Sequence, residues 1–276
     1  MQPFDLHSHS TASDGLLSPS ALVARALDRG VDVLALTDHD DTGGLAEAAA
    51  AAEGTPLTLV PGAELSASWG SHTVHIVGLH LDPANRVLED GLATIRAGRD
   101  SRARRIAKSL AEAGIANAYE GARKYVTSER LISRSHFARY LVEKGYAKDL
   151  HAVFKRYLSP GKPGYVTHAW ATVPEAVTWI HAAGGQAVLA HPGRYKVTAT
   201  GMRRLLGEFR DAGGDAIEVL TSSHTIDQFG EYAGYARVFG LLASAGSDFH
   251  GPGESQLDLG ALPPLPAGIA PVWSTW

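Results

Sequence analysis

Short apolar runs, many of them rich in β-branched residues, alternate with helical patterns along most of the chain. A buried parallel strand reads as a short continuous apolar run, whereas an amphipathic helix repeats its apolar residues with a period near that of the helical turn. Seven runs are predicted to be strands, at residues 4–6, 31–36, 57–60, 73–77, 187–190, 216–220 and 241–245. Strands that alternate with helices across short loops predict an α/β fold with a parallel sheet, either open or closed into a barrel.

Helix start and stop signals between the strands support this interpretation. Ser18 can cap a helix whose first position is Pro19, and Gly30 follows its end. Two further helices are predicted at about residues 172–182 and 201–212, and a pair of glycines follows each of them. Strands and helices are therefore predicted to alternate both before and after the middle of the chain.

The middle of the chain lacks this alternation. Residues 87–168 carry helical periodicity and no convincing strand pattern, with helices predicted at about residues 96–113, 135–144 and 150–158. A loop rich in proline and glycine follows at residues 159–164. We therefore expect two parts: an α/β part built from residues 1–86 and 169–276, and a helical insertion of residues 87–168 on the loop side of the sheet.

Composition limits the chemistry that this chain can perform. Its 276 residues include 13 histidines and no cysteine. Without cysteine there can be no disulfide, thiolate zinc site, iron–sulfur cluster or cysteine nucleophile. Any metal ion would have to be held by imidazole, carboxylate and water.

Charge and hydropathy limit the partners. The formal net charge of -4 disfavours binding of a long nucleic acid, although a small anion could bind in a locally positive pocket. The N-terminus has no basic stretch followed by an apolar core, and no apolar run reaches the roughly 18–20 residues of a membrane span. We therefore expect a cytoplasmic protein without a membrane-spanning segment.

Histidine and carboxylate residues occur at the ends of most of the predicted strands, where parallel α/β folds collect their functional groups. They are Asp5, His7, His9 and Asp14, then Asp38, His39, Asp40 and Glu64, then His72, His75 and His191, and finally Asp248 and His250. On an extended segment residues i and i+2 point the same way, so His7 and His9 can face one ion, and Asp248 and His250 repeat this spacing. Imidazole and carboxylate ligands without thiolate suit Mn, Fe or Zn.

The motifs that carry these residues resemble those of the polymerase and histidinol phosphatase (PHP) superfamily. In chain order they are His7-Ser8-His9, Thr37-Asp38-His39, Gly62-Ala63-Glu64, His75-Ile76-Val77-Gly78, Ala190-His191-Pro192 and Ser247-Asp248-Phe249-His250. Residues 132–137, 160–165 and 191–195 are further similar to the TrpH-like branch, which includes 3′,5′-nucleotide bisphosphatases and the exoribonuclease RNase AM. The resemblance implies a distorted (β/α)7 TIM-like barrel with a helical insertion that acts as a substrate cap.

The resemblance also implies a centre of three divalent ions. One ion would be held by His7, His9, Glu64 and Asp248, a second by Glu64, His75 and His191, and a third by Asp14, His39 and His250. Mn is the expected metal, with Fe or Zn as alternatives. The residues expected to act in catalysis are His7, His9, Glu64, His191, Asp248 and His250, and the implied reaction is attack on phosphorus by a metal-bridging hydroxide.

A charge count favours an anionic substrate for such a site, because three divalent ions outweigh the carboxylates of Asp14, Glu64 and Asp248. A second phosphate would need separate donors. The residues expected to supply them are Arg134, Ser135, Lys162, Arg194 and His224, with His136 as a further candidate. Asp38 and Asp40 could either orient imidazoles or serve as turn residues. The basic residues of the first inserted helix are expected on its solvated face: Arg96, Arg99, Arg102, Arg104, Arg105 and Lys108.

The expected activity is removal of the 3′-phosphate from a 3′,5′-bisphosphonucleotide such as adenosine 3′,5′-bisphosphate. The same chemistry on a diester would instead release nucleotides from the 5′ end of short RNA. A histidinol-phosphate-type phosphatase is the next alternative, although the large insertion favours the nucleotide branch. An amidohydrolase is disfavoured because Glu64 occupies the bridging position. A metal-binding accessory module without turnover is disfavoured by the intact set of ligands.

Overall fold

All seven predicted runs are strands of one sheet in the computed structural model, which describes residues 4–128 and 131–276. The strands are β1 (Phe4–Asp5), β2 (Val33–Leu36), β3 (Thr58–Trp69), β4 (His72–Leu79), β5 (Ala171–Thr172), β6 (Gln186–Leu189), β7 (Ala216–Leu220) and β8 (Leu242–Ala245). Only the short β5 was not predicted. Since β2, β7 and most of β6 are buried along their length, their continuous apolar runs identify them well.

The strands follow the order β1-β2-β3-β4-β6-β7-β8, and β5 pairs with the outer part of β3. The Leu6 N–H donates to the Ala245 carbonyl at 2.9 Å, and Ser8 pairs with Phe249, so the two ends of the sheet meet. The expected α/β fold with a distorted seven-stranded barrel is thus confirmed.

The expectation of a wholly parallel sheet is wrong at one strand. β4 runs antiparallel to both β3 and β6. Only Gly70 and Ser71 separate β3 from β4, and a two-residue connection can join antiparallel strands but not parallel ones. Gly70 has a φ of +57°, which glycine adopts without strain at a tight turn.

Helices cover the outside of the sheet. They are α1 (Pro19–Asp28), α2 (Leu45–Ala52), α7 (Val173–Ala182), α8 (Ala199–Asp211) and α9 (Ile226–Phe239). The Ser18 side chain accepts a hydrogen bond from the Ala21 N–H, as its predicted capping role requires. α9 was missed, although Thr225 and Gln228 form a capping box at its start. Among residues 4–128 and 131–276, no helix combines the length and apolarity needed to cross a bilayer.

The helices of the middle segment have a core of their own. They are α3 (Arg86–Glu112), α4 (Ala118–Arg123), α5 (Arg134–Glu143) and α6 (Leu150–Val153), which continues as a wider π-helical turn (Phe154–Leu158). Ile106, Leu110 and Phe137 are among the side chains buried between them. α3 begins about ten residues earlier than predicted, because Asn85 caps it and its first turns pack on the barrel through Leu88 and Leu92. The domain boundaries at residues 86/87 and 168/169 stay a prediction.

Candidate metal centre

The predicted ligands lie together at one edge of the barrel, and those that follow β1 and β8 lie side by side there. The β1–β8 seam fixes His7 and His9, since the His9 N–H donates to the Phe249 carbonyl and the Asp248 N–H to the His7 carbonyl, both at 2.8 Å. The intervening Ser8 turns away and donates through its hydroxyl to Ala35 at 2.7 Å. The alternation of an extended chain therefore gives the two imidazoles a common direction, as the spacing predicts.

Glu64 and His75 reach the same edge from inside strands rather than from strand ends. β3 continues past Glu64 to Trp69, which corrects the expectation that Glu64 ends its strand. Because β4 is antiparallel, its early residues lie beside the carboxyl ends of the parallel strands, and His75 is paired with Ser66 of β3. The His75 Nδ1 atom lies 2.7 Å from Glu64 Oε1.

All nine predicted ligands fall into four groups whose candidate ligand atoms lie within 4.8 Å of one another. The groups are His9, Asp14, His39 and His250; His7, His9 and Asp248; His7, Glu64 and His191; and His39, Glu64 and His75. Glu64 is central, because its Oε1 atom lies 2.8 Å from His191 Nε2 and its Oε2 atom lies 2.8 Å from His39 Nδ1. How these residues divide among ions stays a prediction.

The carboxylates of this cluster are strongly biased towards the charged form. Burial alone would raise the pKa of Asp14, Glu64 and Asp248, but the neighbouring cationic groups outweigh it and hold each pKa well below its ordinary value. For Asp14 and Glu64 the cations are imidazoles, whereas for Asp248 Arg194 acts first, with its Nη2 atom 2.5 Å from Oδ2, and imidazoles act second. Three buried anions therefore lie at the base of the site.

The imidazoles divide into two kinds. Burial lowers the pKa of His9 to about 3 and that of His75 to about 4, so both rings are neutral at physiological pH. Burial also opposes the charging of His250, but Asp14 and Asp248 raise its pKa to about 9. Protons on such rings partly balance the carboxylates when no metal ion does so.

Several buried polar atoms of the cluster have no hydrogen-bond partner in the described part of the chain. They include His9 Nδ1, His191 Nδ1 and Asp14 Oδ1. Buried nitrogen and oxygen atoms are rarely left without partners, and those that are need a specific explanation. Lone pairs of imidazole and carboxylate directed at a shared space suit divalent ions such as Mn, Fe or Zn, so the residues present fit a metal centre.

The basic face of α3 differs from the expectation. Arg99 and Arg102 are only 5% and 8% exposed, so their assignment to the solvated face is wrong, whereas Arg104 and Arg105 are exposed as predicted. Arg99 donates through Nε to Asp40 Oδ2 at 2.7 Å. Both buried guanidinium groups lie 5.2 Å from the Trp170 ring centroid. These arginines line the same cavity as most of the candidate metal ligands.

Arg102 and Arg134 are the least compensated cations of this cavity. Burial, together with the neighbouring arginines, lowers the pKa of Arg102 to about 9 and also lowers that of Arg134. Arg102 has a weak hydrogen bond to the Val166 carbonyl at 3.4 Å, and Arg134 lies over the Phe154 ring. Within the described part of the chain, neither forms an ion pair with a carboxylate.

The predicted phosphate-binding residues have different locations. Arg134, Ser135 and Arg194 line the cavity with the metal cluster. Lys162 instead is exposed and lines a separate shallow pocket on the insertion. Both ring nitrogens of His224 are engaged by the backbone, with Nδ1 3.0 Å from the Val219 carbonyl and Nε2 accepting the Gly193 N–H at 3.0 Å. His224 thus supports the turn that carries Arg194.

His136 and the two aspartates beside His39 have structural roles. His136 Nδ1 accepts the Ser133 N–H at the start of α5. Asp38 accepts hydrogen bonds from the Ser10 N–H and hydroxyl and from the Ser13 hydroxyl. Asp40 accepts from the Ser66 N–H and from Arg99, so these hydrogen bonds join segments of the site that are distant in the chain; none of them is a contact within one turn or with an imidazole.

Sequence reasoning missed Glu218, which lies behind the cluster. Its Oε1 atom is 2.7 Å from His7 Nδ1, and its Oε2 atom accepts the His191 N–H at 2.5 Å. The signal was available, since Glu218 is the one charged residue in the apolar run of β7. Tyr195 was also missed, and its hydroxyl donates to the Ala190 carbonyl at 2.7 Å and accepts the His75 N–H at 2.9 Å.

Residues 5–159 match the PHP domain family, which is more than half of the chain. The chain belongs to the PHP family. A 3′,5′-nucleoside bisphosphate phosphatase from Chromobacterium violaceum is 52% identical over 273 residues, covering 99% of this chain and 96% of the relative.

Two further proteins place this PHP chain more narrowly. The 5′-3′ exoribonuclease Rnm from Salmonella typhimurium is 46% identical over 275 residues, covering 99% of this chain and 93% of the relative. A solved structure of an amidohydrolase from Chromobacterium violaceum, with bound sulfate and no metal, superposes with a TM-score of 0.96 at 51% identity. That alignment covers 99% of this chain and 95% of the other. The predicted PHP family and its bisphosphatase and exoribonuclease branch are confirmed.

Proposed function

We propose that this PHP protein is a metal-dependent phosphoesterase that removes the 3′-phosphate from 3′,5′-bisphosphonucleotides. The observation that carries the proposal is a cavity lined by seven residues of the imidazole and carboxylate cluster and by Arg102 and Arg134, which form no ion pair with a carboxylate among the described residues. A substrate with two phosphates matches this arrangement, because one phosphate can bind at the ligand cluster and the other at the arginines. The similarity to a 3′,5′-nucleoside bisphosphate phosphatase supports the same assignment.

The cluster would hold up to three divalent ions, with Mn as the first choice. His7, His9, Glu64 and Asp248, then Glu64, His75 and His191, and then Asp14, His39 and His250 are the proposed ligand sets. When bound, such ions supply a nucleophile from water at neutral pH and neutralise charge on the phosphoryl oxygens. The unpartnered polar atoms of the cluster support their presence.

The chain's own residues would bind and orient the two phosphates. Arg194, 2.5 Å from Asp248, would contact the reacting 3′-phosphate. Arg134, Ser135 and Arg102 would bind the 5′-phosphate. Guanidinium forks match phosphate geometry, and among residues 4–128 and 131–276 neither arginine has a competing carboxylate. The residues proposed for the 5′-phosphate all belong to the insertion, residues 87–168, which would act as the substrate cap.

A second candidate function is exoribonuclease activity on short 5′-phosphorylated RNA. The 46% identity to the exoribonuclease Rnm favours it. Both reactions break the bond between the 3′-oxygen and its phosphorus. In both substrates the 5′-phosphate of the same nucleotide lies at a fixed distance from that bond. The proposed partner is therefore a small nucleotide or a short RNA rather than a long nucleic acid, in keeping with the net charge of -4.

A kinetic comparison with Mn tests and ranks these activities. The substrates are adenosine 3′,5′-bisphosphate, a 5′-phosphorylated diadenosine dinucleotide and histidinol phosphate, with adenosine 3′-monophosphate as the control that lacks the 5′-phosphate. We expect phosphate release from the bisphosphate with a higher kcat/KM than from the control. Turnover of the dinucleotide alone would favour the exoribonuclease, and preference for histidinol phosphate would refute both nucleotide assignments.

A further inference from the structure

Glu218 is a buried charge in the middle of an apolar strand. It is 1% exposed, and the other residues of β7 are the buried Ala216, Ile217, Val219 and Leu220. A carboxylate in such surroundings is costly unless each of its oxygens has a partner. Here each oxygen has one, since Oε1 is 2.7 Å from His7 Nδ1 and Oε2 accepts the His191 N–H at 2.5 Å.

The first contact decides which nitrogen of His7 faces the cluster. Both carboxylate oxygens of Glu218 act as acceptors in these contacts, so the Nδ1 atom of His7 is the donor and carries a proton. The Nε2 atom points into the centre, 3.5 Å from Glu64 Oε2 and 3.5 Å from Asp248 Oδ1. Glu218 therefore leaves the Nε2 lone pair of His7 free for a metal ion.

The second contact fixes the backbone of His191. This residue has a φ of +27°, a conformation that non-glycine residues adopt only when their surroundings impose it. The same conformation brings its Nε2 atom to 2.8 Å from Glu64 Oε1. Glu218 thus holds two of the three members of the group formed by His7, Glu64 and His191.

We propose that Glu218 is a positioning residue that sets the affinity of the two ions bound through His7 and through His191, which share Glu64 as a ligand. The proposal rests on the metal centre of the proposed function. Carboxylates behind ligating histidines fix the tautomer and the ring orientation, and their removal typically weakens metal binding by about 10- to 100-fold. The particular feature here is that one carboxylate fixes the ring of one ligand and the main chain of another.

The substitution Glu218→Gln separates these effects from simple loss of packing. Glutamine has nearly the same shape but only one acceptor oxygen. The His191 N–H is a fixed donor and would take that oxygen, which leaves the amide NH₂ facing His7 Nδ1. His7 would then carry its proton on Nε2, the atom that should bind the ion.

The test measures the Mn affinity of the metal-free full-length protein by competition with a chelator, together with thermal unfolding of the metal-free form. We expect the tightest site of Glu218→Gln to bind Mn about 10- to 100-fold more weakly than the wild type does. The matched control is Glu175→Gln, because Glu175 also accepts two hydrogen bonds, from the N–H and hydroxyl of Thr172, far from the cluster. The control should bind Mn as tightly as the wild type does.

The outcomes distinguish this inference from the proposed function. A wild type that binds Mn and a folded Glu218→Gln variant that binds it equally well would overturn the positioning role alone. A wild type that binds no divalent ion would overturn the metal centre itself. If Glu218→Gln does not fold, Glu218→Asp keeps both acceptors but shortens their reach, and an Mn affinity equal to that of the wild type would again refute the proposal.

Discussion

At the scale of single residues, the buried arginines of α3 show why a charge pattern can mislead. A helix with many basic residues normally turns them to water, and Arg104, 65% exposed at its side chain, does so. Arg102 is two positions earlier on the same helix and is 8% exposed. The sequence does not reveal which arginine is buried, because the burying surface comes from Trp170 and the cavity wall, remote in the chain.

Replacing Arg102 with leucine tests its proposed contact with the 5′-phosphate. We expect KM for adenosine 3′,5′-bisphosphate to rise by about 10- to 100-fold with a smaller change in kcat, because a charge-assisted hydrogen bond contributes about 1.5–3 kcal/mol. The control substitution Arg104→Leu on the same helix should leave KM unchanged. An equal rise in KM for adenosine 3′-monophosphate would show that Arg102 does not act on the 5′-phosphate.

The buried ring of His224 predicts a pH dependence of stability. Burial lowers its pKa in the folded protein to about 4, below the ordinary value of 6.5. The unfolded chain therefore binds the proton first as the pH falls, and the stability contributed by the neutral ring is lost between pH 6.5 and 4. For one such group the loss between pH 6.5 and 5 is about 1–2 kcal/mol.

Urea unfolding of the wild type and of His224→Gln, both metal-free, at pH 6.5 and pH 5 checks this expectation. Glutamine can donate to the Val219 carbonyl and accept from the Gly193 N–H without titrating. The wild type should lose more free energy of unfolding than the variant over this interval. Parallel losses would contradict the assignment of a neutral, buried His224.

At the scale of elements, apolar runs located all seven strands of the barrel but not their directions. β2 and β7 were found because buried strands carry an apolar side chain at almost every position. The antiparallel direction of β4 depends on the tight turn at Gly70 and on pairing with β6, and no local pattern encodes that pairing. The ligand motifs were nevertheless recovered, since they depend on residue type and order and not on strand direction.

The junction between α3 and α7 gives a prediction about packing between elements. A Cβ atom on Gly91 of α3 would collide with the indole ring of Trp179 on α7, whereas one on Gly230 of α9 would meet nothing within 4 Å. We expect Gly91→Ala to cost about 1–3 kcal/mol of unfolding free energy through overpacking. Gly230→Ala should instead stabilise by about 0.5–1 kcal/mol, because alanine is the better helix former.

Chemical denaturation of both variants measures these two effects. We expect changes of opposite sign in the free energy of unfolding, even though each substitution adds the same methyl group to a helix. If Gly91→Ala proved as stable as Gly230→Ala, the close packing of α3 on α7 would be refuted. The first turns of the insertion would then not be anchored on the barrel.

At the scale of the whole molecule, the net charge of -4 gives no sign of how charge is arranged inside. Asp14, Glu64, Asp248 and Glu218 are all buried at one end of the barrel. Arg99 and Arg102, which line the same cavity as Asp14, Glu64 and Asp248, are buried as well. Protons on the neighbouring imidazoles balance these carboxylates when no metal ion is bound, and ions that bind only the folded state add to its stability. The folded protein should therefore gain much of its stability from bound metal.

Metal removal provides the test at this scale. Ions that bind only the folded state stabilise it by about 4 kcal/mol at a thousandfold excess over Kd, which for a chain of this size raises Tm by roughly 10 °C. We expect the Tm of chelator-treated wild-type protein to rise by this amount when Mn is added. The control variant His181→Ala changes an exposed histidine outside the cluster and should show the full rise in Tm. His39→Ala should show a much smaller gain, since it lacks a proposed ligand. A Tm that Mn leaves unchanged in the wild type would mean that the cluster is balanced by protons rather than by metal ions.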